Sequence, residues 1–591
     1  MFHRRKAFVA AAALTAQLAV GVVTAATANA STGPADDRQK VSQTGWWTYS
    51  GVSAATITSL LTSHHARLTD IEEQTAAPTF TVTMVSNSGS YSTGWWWYYG
   101  LTEAQVNANL TTNHARPIVV KAYSTSSGVR YAVIMVDNTG TNAKGWAWYH
   151  GTTSFIASKL TANSARLVNF SPYPGSTTNY VAVMENNTGT NNTGWWWYYH
   201  ITTAQISSFA TTNHARLVDL SHNTDGTYNV VMYTNTTRWY WYYGQSLGTA
   251  VTRALQQGER IIDVTPYVVS GTTFYAVIST RNTNTLTEQV WNIIAPKVDS
   301  GKYGFYLKQV GGSELAGIGE TVGYEPASAL KVLYHAESIH QESLGNTHDT
   351  DTITYHYNTA DPTNAGICPD SYATTATTNL KNADQQMMWN SDNRMTRGIL
   401  EKYGKANVLA YGTSLGLTNT HINHNIGCPT DTTHNVTTLV DLGKVYEAFQ
   451  NNVITSSSTW KAQFKSRMLN ESNYSGFRTS ICPIVNQEAT ALGKSAATAT
   501  SFCNALTWIA KGGSYQYGGS LPYSVSWDGL SMTGVPYKSA GVVAPKYFVM
   551  GEYVDGTTIN SQAEADAINT ARGKEYQELM RPYIHAALAT W

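Results

Sequence analysis

Charge is scarce in this chain. Of 591 residues only 13% are charged, and 38 Lys+Arg against 38 Asp+Glu leave a formal net charge of zero. That balance lacks the basic footprint needed to bind a nucleic-acid backbone. Long apolar runs are as rare: a membrane-spanning bundle needs several stretches of about 18 residues or more, and only the N-terminus offers anything comparable. Cysteine is limited to Cys368, Cys428, Cys482 and Cys503, all in the C-terminal half, and no CxxC occurs, so a zinc ribbon is not supported. Disorder is excluded by what is abundant: 42% hydrophobic and 12% aromatic residues, with 18 Trp and 37 Tyr, supply ample core material. What remains is a large, neutral, soluble, Trp-rich protein of several domains.

Residues 1–30 read as a signal peptide. A basic start (Arg4, Arg5, Lys6) precedes the apolar run Ala7–Val23, and Ala28-Asn29-Ala30 forms a small-residue cleavage site. The expectation is a secreted, extracellular protein without a membrane anchor after cleavage. In that compartment four cysteines suggest two disulfides. Three pairings exist; Cys368–Cys428 with Cys482–Cys503 is favoured because the second closes a short loop. Cys368, Cys428 and Cys482 each precede proline, which predicts extended or turn segments there.

The N-terminal half is repetitive. GWWWYYG at Gly94–Gly100 recurs as GWAWYHG at Gly145–Gly151, GWWWYYH at Gly194–His200 and RWYWYYG at Arg238–Gly244, with an earlier copy from Gly45. A second signature follows each copy, ending at Leu68, Pro117, Leu167, Leu217 and Ile261, and its arginines Arg67, Arg116, Arg166, Arg216 and Arg260 are spaced 49, 50, 50 and 44 apart. Five copies at a period near 50 indicate tandem repeats. Each unit reads as an aromatic strand, a short helix and two further strands. The helices open on capping boxes such as Thr102–Gln105 and Thr202–Gln205, with apolar pairs Ile57/Leu61, Val106/Leu110, Ile156/Leu160 and Val251/Leu255. No unit can bury its face alone, so neighbours must stack. Twelve of the 18 tryptophans lie in these units. Because side chains alternate along a strand, a core layer is the plainer role for them, and an outward binding platform the sharper one. His65, His114 and His214 read as turn residues rather than metal ligands, since Ser164 replaces them in one copy.

Residues 42–290 resemble a bacterial tandem repeat family found beside serine-hydrolase domains, and the N-terminal domain of fungal polyglycine hydrolases.

From about residue 300 the repeats stop. Ser328-Ala329-Leu330-Lys331 opens a helix, where positions i and i+3 share a face and an amine can sit beside a hydroxyl. A serine needs such a base to become nucleophilic. Ser391-Asp392-Asn393 follows 63 residues later, and Lys511-Gly512-Gly513 another 120 residues on. The ordered trio resembles the penicillin-binding protein and class A β-lactamase superfamily, over roughly 300–591. The resemblance implies Ser328 as nucleophile, Lys331 as general base, Ser391 as proton relay, Asn393 as orienting group and Lys511 as the electropositive partner. It implies an oxyanion hole from the amides of Ser328 and of a residue after Gly513, at Tyr515; Gly513 and Tyr515 are thus substrate-binding candidates. No metal or cofactor is implied.

One departure matters. Class A β-lactamases carry an Ω-loop Glu that activates the deacylating water, and Lys402–Tyr446 contains no Glu. The family position falls near Ile426; His421 and His424 are candidate water activators, against the plainer reading of solvated loop histidines. A competing G-x-S-x-G motif, Gly412–Gly416, is preceded by the strand-like VLAY, but an elbow needs a helix after it and a loop follows.

The expected fold class is α/β (α+β): a signal peptide at 1–30, five strand-helix-strand-strand repeats at 31–295, and a β-lactamase-like antiparallel sheet flanked by helices at 296–591. The expected function is a secreted serine hydrolase cleaving a peptide bond through an acyl-serine, with the repeats recognising a peptide or protein substrate, Gly-rich or peptidoglycan-derived. Alternatives are an adhesion protein with an idle hydrolase-like domain, or a β-lactamase.

Overall fold

The computed structural model describes residues 40, 42–74, 78–298, 300–430 and 433–591. The expected signal peptide lies outside them. The described chain forms two compact units: residues up to Val251 with Arg260–Thr280, and Thr252–Glu259 with Arg281–Trp591. The helix Thr285–Ile294 packs Val290 and Ile294 into the core of the second unit, so the boundary falls earlier than 295/296.

Each repeat is a three-stranded antiparallel sheet in which the aromatic strand pairs with the third strand and the third with the second. In the second copy these are Trp95–Leu101, Ala115–Thr125 and Gly128–Asp137, with the helix Glu103–Thr112 as the crossover. The capping boxes at Thr102/Gln105 and Thr202/Gln205 are both formed. Four helices bury the predicted apolar pair or its equivalent, but the fifth, Leu247–Gln256, slips by one residue and buries Ala250 and Ala254 in place of Val251 and Leu255. After each helix the chain turns through a left-handed residue: His65, His114 and His214 at φ 48, Ser164 at φ 45 and Gly258 at φ 61. That conformation is tolerated by short polar residues and free for glycine, which explains why the fifth copy reads Gly-Glu-Arg.

The repeat arginines are structural. Arg67 donates from Nε to Tyr91 O at 3.1 Å, and Arg166 from Nη1 to Asn191 O at 2.7 Å. Each clamps the turn that leads into the next aromatic strand. Arg260 Nη2 donates to Lys40 O at 3.0 Å, so the fifth copy clamps the start of the first. A second set of bonds follows the same circuit. Val120 N donates to Asn169, Phe170 N to Asp219, Leu220 N to Asp263, and Val264 N back to Asp70. The five repeats are therefore a closed ring. The tryptophans sit between copies: none of the twelve is exposed, and Trp148, Trp195 and Trp197 are buried.

The second unit is built on a five-stranded antiparallel sheet in the order Glu314–Ile318, Lys302–Gln309, Val542–Ile559, Tyr523–Ser539, Thr507–Tyr517. The last is an edge strand. One face packs on the buried helix Lys331–Ser343 and on Leu439–Gln450. The other packs on Glu471–Ala491, Ala496–Ala505 and the terminal helix Gln562–Thr590. Both favoured disulfides, Cys368–Cys428 and Cys482–Cys503, are present. Two local expectations fail. Cys482-Pro483 lies inside the helix Glu471–Ala491, and VLAY lies in the helix Lys405–Ser414. Apolar segments of four residues do not distinguish strand from helix. Among the described residues no helix is long and apolar enough to cross a membrane.

Candidate active site

Ser328 lies in a short 3-10 turn, Ala327–Leu330, that leads directly into the helix Lys331–Ser343. Between Tyr324 and Leu330 it alone is partly exposed. Ala327 before it takes φ 40, an unfavourable conformation for a residue with a side chain. The edge strand reaches this turn because Gly513 has no side chain. A Cβ there would stand 2.5 Å from Pro326 O and 2.7 Å from Ser328 N.

The other residues of the trio converge. Lys331 Nζ contacts Ser391 O at 2.6 Å, Asn393 Oδ1 at 2.8 Å and Ser391 Oγ at 3.1 Å. Lys511 Nζ reaches the same Ser391 Oγ at 3.0 Å and Gly512 O at 3.0 Å. One hydroxyl is therefore shared by two buried amines. Ser391 takes φ 54 to present both its carbonyl and its hydroxyl to Lys331. Strain of this kind, about 1–3 kcal/mol, persists only where surroundings enforce it. The enforcing groups are Asp392, which caps the helix Asn393–Tyr403, and Asn393, whose amide donates to Ile367 O at 3.2 Å. The Cys368–Cys428 disulfide ties the Ile367 segment to Gly427, where a Cβ would stand 2.4 Å from Asn393 Nδ2.

Both lysines hold their protons less tightly than an ordinary lysine. Burial lowers Lys331 well below the ordinary lysine range, the Lys511 charge lowers it further, and Asp392 opposes them in part. Burial lowers Lys511 to about 8, against the pull of Asp528. A neutral Lys331 fits its contacts. Two N–H bonds serve Ser391 O and Asn393 Oδ1, and a lone pair remains for a hydroxyl proton.

Ladder parity locates the free amide on the edge strand. The register from Thr507 to Tyr517 is unbroken, so N–H and C=O of one residue point the same way and alternate residue by residue. The Gly512 carbonyl accepts from Lys511 Nζ, which also bonds Ser391 Oγ; it points off the sheet edge. Ser514 shares that orientation, while the Tyr515 N–H turns to the neighbouring strand. The edge amide next to Ser328 N is that of Ser514 and not, as expected, that of Tyr515. Tyr515 contributes its ring instead, its hydroxyl accepting from Gly427 N at 2.8 Å.

Glu325 belongs to none of the sequence motifs. It is buried three residues before Ser328, and Oε2 takes His424 Nε2 at 3.1 Å and Asn435 N at 2.8 Å. His424 Nδ1 meets Asn425 O at 2.9 Å. The Asn435 side-chain nitrogen lies 3.5 Å from the same Nδ1, so an acceptor and a donor both face it. Burial lowers its pKa, but the Glu325 hydrogen bond and the Asn425 carbonyl raise it above the usual value. His421 is exposed, its backbone paired with Val436. Ser414, the competing serine, donates to Tyr411 O inside a helix end.

Residues 285–501 match the model of the β-lactamase enzyme family. The C-terminal unit thus carries a β-lactamase-like domain. Among solved structures, the chain is similar to the chromosome-encoded β-lactamase of Vibrio parahaemolyticus at 15% identity, covering 51% of this chain and 99% of that one, with a TM-score of 0.37. A β-lactamase from Chitinophaga pinensis is 13% identical over 50% of this chain and 99% of that one, TM-score 0.36. An ancestral class A β-lactamase is 14% identical over 50% of this chain and 100% of that one, TM-score 0.36. No curated protein matches the chain.

Proposed function

We propose that the C-terminal domain is a serine hydrolase that cleaves an uncharged amide through an acyl-serine intermediate. The observation that carries this reading is the pair of buried lysine amines sharing Ser391 Oγ, with Lys331 contacting only uncharged oxygens. Lys331, held neutral, takes the Ser328 hydroxyl proton as Oγ attacks the carbonyl carbon. The amides of Ser328 and Ser514 receive the developing oxyanion. Ser391 passes a proton to the leaving nitrogen, and the Lys511 charge polarises that hydroxyl. Asn393 holds Lys331 in place.

Water must then release the acyl group. Glu325 is committed to His424, Asn435 N and Ala327 N, and no Ω-loop Glu stands in its place. A β-lactam acyl-enzyme is expected to clear slowly, which favours a peptidase, amidase or esterase over a β-lactamase. A peptide or protein substrate, Gly-rich or peptidoglycan-derived, engaged by the repeat ring and met outside the cell, completes the proposal. The two disulfides agree with that compartment.

The test is covalent labelling. The full chain is incubated with a fluorophosphonate and, separately, a fluorescent penicillin, and adducts are followed by intact mass. A serine adduct absent from Ser328→Ala is expected. No adduct from either probe would leave an idle scaffold, and rapid turnover of the penicillin would make the protein a β-lactamase.

A further inference from the structure

Asp528 is a buried carboxyl that the reaction described above does not use. It lies on the strand Tyr523–Ser539 directly opposite Gly513, and residues directly opposite in an antiparallel pair put their side chains on the same face. A Cβ on Gly513 would stand 2.3 Å from Asp528 Oδ1, 2.5 Å from Pro326 O and 2.7 Å from Ser328 N. The carboxyl, the Pro326 carbonyl and the Ser328 amide therefore border the one small space that Gly513 leaves.

Its surroundings leave this carboxyl without a counter-charge. Asp528 is 3% exposed, and among the described residues no donor stands at hydrogen-bond distance from either of its oxygens. Arg572 is taken by Glu552, and the Lys511 amine by Ser391 Oγ and Gly512 O. Burial raises the Asp528 pKa well above the usual carboxyl range; Glu552 and Glu325 raise it further, and Arg572 and Lys511 offset part of this. A carboxyl buried without a partner keeps its proton rather than its charge.

A neutral carboxyl has one O–H to give, and two acceptors on the segment before the nucleophile face it. The Tyr324 hydroxyl faces Asp528 and has no partner of its own at hydrogen-bond distance. Its ring is held by Tyr553, the neighbour of Asp528 on the next strand, with centroids 4.3 Å apart and an interplanar angle of 4°. Pro326 O accepts from Ala329 N at 2.9 Å and keeps a second lone pair. A negative charge in the same place would oppose the reaction, because the Ser328 amide must receive an oxyanion and a carboxylate behind it repels one.

We propose that Asp528 is a positioning residue of the acyl-serine reaction, an uncharged acid that fixes the Ser328 turn against the edge strand so that the amides of Ser328 and Ser514 converge on one oxygen. The proposal rests on the acyl-serine reading. It assigns the two parts of this corner separate tasks: Gly513 leaves room for the turn to approach, and the Asp528 O–H ties the approaching segment to the sheet.

The experiment compares Asp528→Asn and Asp528→Leu in the full chain. Asparagine keeps the shape and a donor and is never charged; leucine has neither donor nor acceptor. Acylation is followed with p-nitrophenyl acetate, and infrared difference spectra of wild type against Asp528→Asn at neutral pH read the protonation state. A protonated carboxyl band that Asp528→Asn lacks is expected, with acylation of that variant close to wild type. Asp528→Leu should lower acylation at saturation by about tenfold or more with KM unchanged, the mark of an interaction made in the transition state. An ionised carboxylate band, an equal loss in both variants, or wild-type acylation by Asp528→Leu would overturn the proposal. Should leucine prevent folding, the band and the Asp528→Asn rate decide alone. A wild type that neither the ester nor a fluorophosphonate acylates at Ser328 would sink the acyl-serine reading and this role with it; failure of the role alone is read from the variants of an acylating wild type.

Discussion

Lys121 in the ring and Lys331 in the second unit are the same residue type, both almost fully buried, and their proton affinities move in opposite directions. Burial lowers both. At Lys121 the effect is reversed by Glu72, 2.5 Å away, and by Asp219, Asp70 and Asp263, so its pKa rises. At Lys331 another cation adds to burial, and Asp392 offsets only part of it. Burial alone therefore does not make a lysine reactive; the sign of the surrounding charge decides. The ring's other buried cations are arginines, which cannot give up a proton, and Lys144, which is held against Glu185. The second unit puts a lysine where burial and a neighbouring cation both favour the neutral amine.

The sharpest way to break the comparison is to exchange the side chains. Lys331→Arg should lower fluorophosphonate labelling by about 10³–10⁴-fold, the upper range for removing a general base, with circular dichroism unchanged. Lys121→Arg should label normally. Equal behaviour of the two variants would abolish the distinction.

Next in size is removal of the ring's cation. Lys121→Met leaves Glu72 buried without its partner, and breaking such a pair costs about 3–5 kcal/mol, read as a lower denaturant midpoint for the ring transition. The paired carboxylates add a pH signature. Glu185 sits between Arg116, Lys144 and Arg166, and although burial raises its pKa, Lys144 and the two arginines lower it to about 2. A carboxylate depressed in the folded state contributes stability that is full above its unfolded value and lost as pH falls through the folded one. Ring stability should thus decline from about pH 4.3 toward 2, and Glu185→Gln should flatten that decline in acid-unfolding curves.

Smaller effects test the relay and the caps. Acylation should rise as Lys331 deprotonates and fall as Lys511 loses its charge near about 8, giving a bell-shaped pH profile. Lys511→Arg, permanently charged, should remove the alkaline limb while reducing the maximum. Thr102→Ala deletes one capping box and should cost about 1 kcal/mol, measured by thermal unfolding, with labelling unaltered.

The site residues were legible because each sits in a short motif whose internal spacing fixes its geometry: Ser328 and Lys331 one helical turn apart, Ser391 and Asn393 around a helix cap. The repeats were legible from their period. What escaped needed contacts across the fold. Glu325 and His424 are 99 positions apart, so a search for an acid confined to the Ω-loop could not pair them. Choosing Ser514 over Tyr515 required the register of the edge strand, which depends on its partner. In the fifth helix, Ala250/Ala254 and Val251/Leu255 are both apolar pairs at the same spacing, and only the packed sheet selects one.

The circuit of side-chain-to-amide bonds in the repeat ring fixes its membership. An open solenoid gains or loses copies at its ends at the cost of one interface. Here the last copy's Val264 donates to the first copy's Asp70, and Arg260 clamps Lys40 O, so no end exists at which to add or remove a copy. At one seam Val119 occupies the acceptor position with no oxygen to offer, and there the Lys121–Glu72 pair joins the same two copies. Removal of a single repeat would break two seams at once, and insertion of one would reopen the closed circuit. The number five is thus a property of the whole ring rather than of any one repeat.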